Sequence, residues 1–434
     1  MKLAEVLYDW SVEAGRVVLP RVPLLPEKAR RSVAGRRGLV ERIESWAAAN
    51  RGDGRLIWFH APSVGEGLQT RPVIEAMRAA RPDIQIFYTF FSPSAEMLGS
   101  RMPADHADYM PFDVTSDLSR VMEALRPDVI VFGKADVWPN ITRVARWRGI
   151  PMALVSATLA HNSSRLRWPA RALLAPAYER LDAVGAISED DARRLASLGV
   201  LWKALRVTGD ARFDQVWRRA QAIDDSRPPL SLLDGHAGIT LVAGSTWTED
   251  ERRLVPAIAG LRRRHPDVRA ILVPHEPMAD HLMRLEADLE IEGLPSVRLS
   301  LLEAGAALPE AVVLVDRTGV LGELYALADV AYVGGGFGKR GLHSVLEPAA
   351  LAAPVLFGPH HANAREAGEL IGRGGAVAVP DGTELERVLG EWVGRSEERR
   401  RVGAAAQSYV QDGLGAARRN ADLVLGLIDR LPAD

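Results

Sequence analysis

Cysteine is absent from this chain of 434 residues. Disulfides, thiolate metal sites and a cysteine nucleophile are thereby excluded, and a reducing compartment suits the composition. Long apolar runs are also missing. Nothing approaches the roughly 20 residues of a spanning helix. Glu5, Asp9 and Glu13 interrupt the N-terminus where a signal peptide would be apolar, so the expected location is the cytoplasm. Charge excess is lacking too: the formal net charge is −2, which argues against a nucleic-acid binder. Metal-ligand spacing does not occur. His60, His161, His236 and His343 are scattered, and His360–His361 is too short a cluster for a metal site. No GK[ST] follows the glycines near Glu66, which excludes a P-loop, and no G-x-S-x-G nucleophile elbow is present.

What remains is an ordinary globular composition, 47% apolar and 25% charged, long enough for two or three domains. Short apolar runs alternate with helical patterns, as in α/β units around parallel sheets. In the first half the expected strands are Leu56–His60, Ile84–Phe90, Val129–Phe132, Met152–Ser156 and Ala183–Ile187, ending near Arg206–Gly209. Residues 221–235 are polar, proline-containing and aperiodic, and read as a linker. A second series follows at Ile239–Ala243, Ala270–Val273, Val297–Leu299, Val312–Val315, Val330–Val333 and Pro354–Phe357, and Glu384–Leu431 reads as helical throughout. The expected division is 1–26, a first domain 27–220, the linker, a second domain 236–400 and a terminal helix 401–434. Two such domains leave a cleft for a ligand.

Two stretches stand apart. Leu3, Val6, Leu7, Trp10, Ala14, Val17 and Val18 share one helical face, away from Lys2, Glu5, Asp9, Glu13 and Arg16, until Pro20, Pro23 and Pro26 end the pattern. That face suits a membrane interface or packing on the protein's own domain. Residues 141–180 hold seven arginines, Arg165 among them, against Glu179 alone. They suit an anionic partner or acids brought from elsewhere in the fold.

Four groups of residues can carry chemistry. HAPSVGEG (60–67) follows a strand. Its Ser63–Gly65 turn leads into a helix whose dipole favours an ionised Glu66, a general base or only a complement to the dipole. GKADVWPN (133–140) ends another strand and puts Lys134 and Asp136 on the same rim. GDARFD (209–214) ends the first half; Arg212 is there to hold a phosphate or to make a surface salt bridge. In the second half AGSTWTEDE (243–251), LVPHEP (272–277) and DRTG (316–319) end strands, with Ser245 and Thr246 placed for an anion. GGGFGKRGLHSVLEPAALAAPVLFGP (334–359) then joins a glycine loop to Lys339 and His343, which suit phosphate, to Glu347, which suits vicinal hydroxyls, and to a following strand. This combination is the usual nucleotide grip of GT-B glycosyltransferases, two Rossmann-like domains facing a central cleft.

Together these blocks resemble the Kdo (3-deoxy-D-manno-octulosonic acid) transferases of lipid A and lipopolysaccharide biosynthesis, over roughly residues 5–375. The resemblance implies inverting, metal-independent transfer of Kdo from CMP-Kdo to an anionic lipid A precursor such as lipid IVA. It implies no cofactor, and a place on the cytoplasmic face of the inner membrane. By that likeness Glu66 falls on the catalytic base, Arg212 on a basic residue that stabilises the transition state, and Asp136 on a supporting acid. Pro274, His275, Thr318, Gly319, Val320 and His343, Ser344, Val345, Leu346 and Glu347 fall on CMP-binding segments, with Ser245, Thr246 and Lys339 beside them. Ser63, Gly65 and Arg165 are expected to meet the acceptor, and the N-terminal helix falls on the membrane-anchoring segment. The chain departs from the family at Gly133–Val137, where the family has Met-Glu-Thr-Glu-Leu. It departs again at Ser344–Val345, for Asn-Pro, and at Val320, for a glutamate. These changes resemble a divergent branch. A GT-B transferase using a UDP-sugar, an isomerase like UDP-N-acetylglucosamine epimerase and a non-catalytic scaffold derived from a transferase are the alternatives.

Overall fold

The computed structural model describes residues 3–22, 25–308 and 311–431; Lys2 and Pro23 lie outside them. The chain forms two units, Met1–Gln215 with Leu414–Asp434, and Val216–Gly413.

Unit one is built on seven strands: β1 Leu56–His60, β2 Gln85–Phe90, β3 His106–Tyr109, β4 Val129–Gly133, β5 Met152–Ala157, β6 Ala183–Ala186 and β7 Leu205–Val207. They pair in parallel in the order β3-β2-β1-β4-β5-β6-β7. β1, β4 and β5 are buried along their whole length. This is why they read as unbroken apolar runs rather than as alternation. His60 at the end of β1 stands opposite Thr89 on one side and Phe132 on the other. The order in which strands are added reverses between β1 and β4, and such switch points are where open α/β sheets bind ligands.

Unit two repeats the plan with β8 Thr240–Thr246, β9 Arg269–Pro274, β10 Ser296–Arg298, β11 Val312–Leu314, β12 Val330–Val333, β13 Val355–Phe357 and β14 Ala376–Ala378. The order is β10-β11-β9-β8-β12-β13-β14, again parallel, with the switch between β8 and β12. Two strands were not anticipated, β3 and β14, and both are edge strands. β3 reads HADY and β14 is three residues long, too polar or too short to carry a pattern.

The division also differs from the sequence expectation. The stretch 221–235 lies inside unit two, where Leu230 and Leu233 of a one-turn helix are buried. The C-terminal region is three helices, Gly382–Gly394, Ser396–Asp412 and Ala416–Ile428, and the last belongs to unit one. Asp214 accepts from the N–H groups of Gly415 and Ala417, both at 2.8 Å, and so satisfies donors at the start of that helix. Asn420, fully buried, accepts from Ser156 N–H at 3.2 Å and Thr208 Oγ1 at 3.1 Å.

The N-terminal helix, Leu3–Val18, docks by its polar side. Glu5 is buried against Arg180. Asp9 accepts from Thr115 and Asn140 at 2.8 Å each and meets Arg143 at 3.1 Å. Leu7 and Trp10 are turned outward, 63% and 77% exposed. No helix among the described residues is long and apolar enough to cross a membrane. Several arginines of 141–180 are matched by acids from elsewhere: Arg143 and Arg180 as above, and Arg146 by Asp182 at 3.4 Å. Arg167, Trp168 and Arg171 remain exposed on the surface.

Candidate functional site

At the first switch point, β1 leads through Ser63 into the helix Val64–Ala80, with Glu66 in its first turn. The Ser63 hydroxyl donates to Glu66 Oε2 and does not cap the helix by accepting from a backbone N–H. Lys134, just past β4, donates from Nζ to Glu66 Oε1 at 3.1 Å. Lys134 has φ 63°, a left-handed backbone that costs a non-glycine residue energy and aims its side chain. Gly65 is exposed on the turn.

Asp136 sits two residues beyond Lys134. It accepts from Trp138 Nε1 at 2.8 Å, and lies 3.5 Å from His60 Nε2 and 3.6 Å from an Arg165 nitrogen. Burial pushes this carboxyl up. The imidazole of His60, the Trp138 N–H and the Arg165 charge outweigh it and hold Asp136 below the usual carboxylate range. His60 is fully buried, with Nδ1 at 3.0 Å from Thr89 Oγ1 and 3.1 Å from Thr89 O. The first site thus joins Ser63, Glu66 and Lys134 in one set of contacts, and His60, Asp136, Trp138 and Arg165 in another.

Arg212 opens the helix Arg212–Gln221. Its guanidinium donates to Asp210 Oδ2 from Nε at 2.9 Å and from Nη2 at 2.6 Å, and its backbone N–H reaches Oδ1 at 2.9 Å. The short GDARFD segment therefore divides its labour. Asp210 orients Arg212, and Asp214 holds the returning C-terminal helix.

At the second switch point, β8 ends in Ser245, φ 54°, and Thr246. The loop after β12 crowds against it. A Cβ on Gly334 would lie 2.1 Å from Ser245 O, and Gly335 has φ 93°, so both positions call for glycine. Asp250 ties the two ends together, accepting from the N–H groups of Trp247 and Gly335 at 2.9 Å each. His343 stacks on His275 with centroids 4.3 Å apart and accepts from Trp247 Nε1 at 3.0 Å. Burial, and then the neighbouring His275, push the His343 imidazole down to about 4. Glu347, on the next helix, is paired with Arg219 at 3.0 Å beside a cavity of about 200 Å³ that Gly322 and Glu323 also line. No cluster of three metal-ligating side chains occurs among the described residues.

Residues 32–215 match the family model described as 3-Deoxy-D-manno-octulosonic-acid transferase (kdotransferase). Over 386 residues the chain is 30% identical to the 3-deoxy-D-manno-octulosonic acid transferase of Bordetella pertussis, covering 84% of this chain and 86% of that one. The chain belongs to the Kdo transferase family. A relative of the same name from Haemophilus influenzae is 26% identical over 408 residues, covering 91% and 92%. The UDP-GlcNAc 2-epimerase from Neisseria meningitidis, solved with UDP-GlcNAc, has a TM-score of 0.62 and 14% identity, covering 87% of this chain and 100% of that one. That likeness speaks to the fold, which is GT-B with two Rossmann-like units. The protein is a glycosyltransferase.

Within this Kdo transferase the residues singled out from sequence are placed unevenly. Glu66, Asp136, Ser63 and Arg165 gather at the β1–β4 switch point, and His275 and His343 meet at the β8–β12 switch point. Thr246 does not offer its hydroxyl, which donates to Glu251 at 2.9 Å in a buried position. Pro274 is buried at the end of β9. Val345 and Leu346 are 1% and 2% exposed, so their apolar side chains serve the core and any ligand contact falls to their backbone. Val320 likewise packs against the core. Thr318, Gly319, Lys339 and Ser344 are exposed. Three residues were missed: His60 behind Asp136, Trp247 against His343, and Arg219 on Glu347. Trp247 lies inside a motif already quoted, and Arg219 stands two helical turns from Arg212. His60 opens the first motif, but its partner Asp136 lies past the end of another strand.

Proposed function

We propose that this enzyme transfers Kdo from CMP-Kdo to a hydroxyl of an anionic lipid A precursor, with inversion and without a metal, in lipopolysaccharide assembly. The observation that carries the reading is Glu66, set at a switch point between Ser63 and Lys134 in a chain of this family. Its carboxylate takes the proton of the acceptor hydroxyl as the acceptor oxygen bonds to the anomeric carbon. The bond from that carbon to the CMP phosphate breaks, and CMP departs. Arg212, oriented by Asp210 and charged at any working pH, steadies the departing phosphate. Asp136 is held ionised, which suits a supporting role for His60 and Arg165 more than proton abstraction. Unit two is read as the donor side: His343 meets phosphate and Glu347 the vicinal ribose hydroxyls. Unit one is read as the acceptor side, with Ser63, Gly65 and Arg165 toward the lipid.

The N-terminal helix supports a place on the inner membrane's cytoplasmic face. Glu5 and Asp9 are spent on the domain while Leu7 and Trp10 face out, as an interfacial helix requires. Exposed Trp168 between Arg167 and Arg171 is a combination suited to anionic headgroups. Calorimetry with CMP and UDP tests the donor. CMP should bind and UDP should bind more weakly; tighter UDP binding defeats the CMP reading.

A further inference from the structure

An indole nitrogen can only donate a hydrogen bond. Trp247 Nε1 lies 3.0 Å from His343 Nε2. Nε2 must therefore be the accepting nitrogen of a neutral ring, whose one proton sits on Nδ1. An imidazolium would set two donors against each other. The charged and titratable neighbours agree. His275 stacks on His343 at 4.3 Å, and the Arg340 guanidinium lies 3.7 Å from the centroid of the indole. Neither favours a further cation. The one acid in this set of contacts, Asp250, is engaged with the backbone of Trp247 and Gly335.

The backbone at both residues is also anchored. Asp250 ties the Trp247 backbone N–H to the glycine loop, and the His343 backbone N–H donates to Gly334 O at 3.2 Å in the same loop. Both ends of the Trp247–His343 contact are thus fixed to one short piece of backbone.

We propose that Trp247 is a positioning residue that locks His343 as the Nδ1–H tautomer, so that the ring presents a neutral N–H to the phosphate of the donor nucleotide. This rests on reading residues 343–347 as part of the nucleotide site. A neutral donor grips phosphate less tightly than an imidazolium, which suits a product that must leave.

The test is two-bond ¹H–¹⁵N correlation spectroscopy on the full chain carrying ¹⁵N-histidine, with His343→Gln to assign the signals. The parent should show His343 neutral with Nε2 unprotonated at pH 7. Trp247→Phe keeps a ring beside His275 and His343 but removes the donor. It should give a mixture of tautomers and weaken CMP binding about two- to tenfold, the weight of one neutral hydrogen bond. A parent ring protonated on Nε2 overturns the lock without any substitution, and so does an unchanged tautomer in Trp247→Phe. An altered tautomer with unchanged CMP affinity overturns the link to the donor. If His343→Gln also leaves CMP binding unchanged, it is the nucleotide reading that has failed.

Discussion

Replacing Glu66 by glutamine exchanges one carboxylate oxygen for NH₂ in a side chain with two described partners. The amide oxygen can still accept from Lys134 Nζ, which now stands 3.1 Å from Oε1. The amide NH₂ can then donate to the Ser63 hydroxyl, which turns to accept. Both contacts survive in altered form, and Lys134 is partly exposed, with 41% of its side chain accessible. The pair therefore contributes at most about 1 kcal/mol to stability, the range of exposed ion pairs. What the amide cannot do is take a proton. Losing a general base lowers turnover by about 10²–10⁴, or roughly 2.7–5.5 kcal/mol of barrier. The two magnitudes separate the roles. Glu66→Gln should keep its melting temperature and its CMP affinity while single-turnover transfer, at saturating donor and acceptor, collapses. A rate within a few-fold of the parent would show that Glu66 only complements the helix start, and Asp136 would be the next carboxylate to test.

Arg219→Ala should free the Glu347 carboxylate and tighten CMP binding about two- to fivefold, the worth of an exposed ion pair; calorimetry showing weaker binding would place Arg219 on the nucleotide instead. Asp113 is buried beneath the N-terminal helix, and burial raises it to about 6 against the opposing pull of Asn140, Ile141, Tyr8 and Arg143. Its folded pKa lies above the unfolded one, so its contribution is greatest at low pH and declines as pH climbs from about 4 to about 6, by about 3 kcal/mol in all. Urea unfolding across that window should show a slope that Asp113→Asn removes. Leu7→Gln with Trp10→Gln should shift the protein from anionic liposomes to the supernatant without changing its unfolding midpoint, since both side chains face outward; unchanged flotation would remove the helix from membrane binding. Deleting the helix is a poorer test, because it strips Asp9 and Glu5 from Arg143 and Arg180.

Much of the fold was legible because buried parallel strands are short, apolar and unbroken. β1, β4, β8 and β12 read this way, and the motifs follow them directly. The edge strands β3 and β14 escaped, since an edge needs neither length nor an apolar face. Glu66 and Asp136 were visible as acids just past strand ends. Their partners were less so, because Lys134 reaches Glu66 across 68 positions and Arg165 reaches Asp136 from another segment. The N-terminal helix shows the limit of pattern reading. Its apolar stripe was plain, but amphipathicity says only that two faces differ, and here the acids are the ones that pack. Val345 and Leu346 sat in a ligand motif by likeness, though their side chains belong to the core.

The return of the helix Ala416–Ile428 to unit one makes unit two an insertion within another unit, with a chain crossing at each end. A stop codon just after residue 413 would leave unit two whole and damage the unit that carries Glu66. Asn420 would vanish from between Ser156 and Thr208, and Asp214 would lose the helix it caps. A frameshift at the C-terminus is then an injury to the beginning of the protein. Unit two, residues 216–413, is contiguous in sequence, whereas unit one would have to be made by splicing its tail onto residue 215.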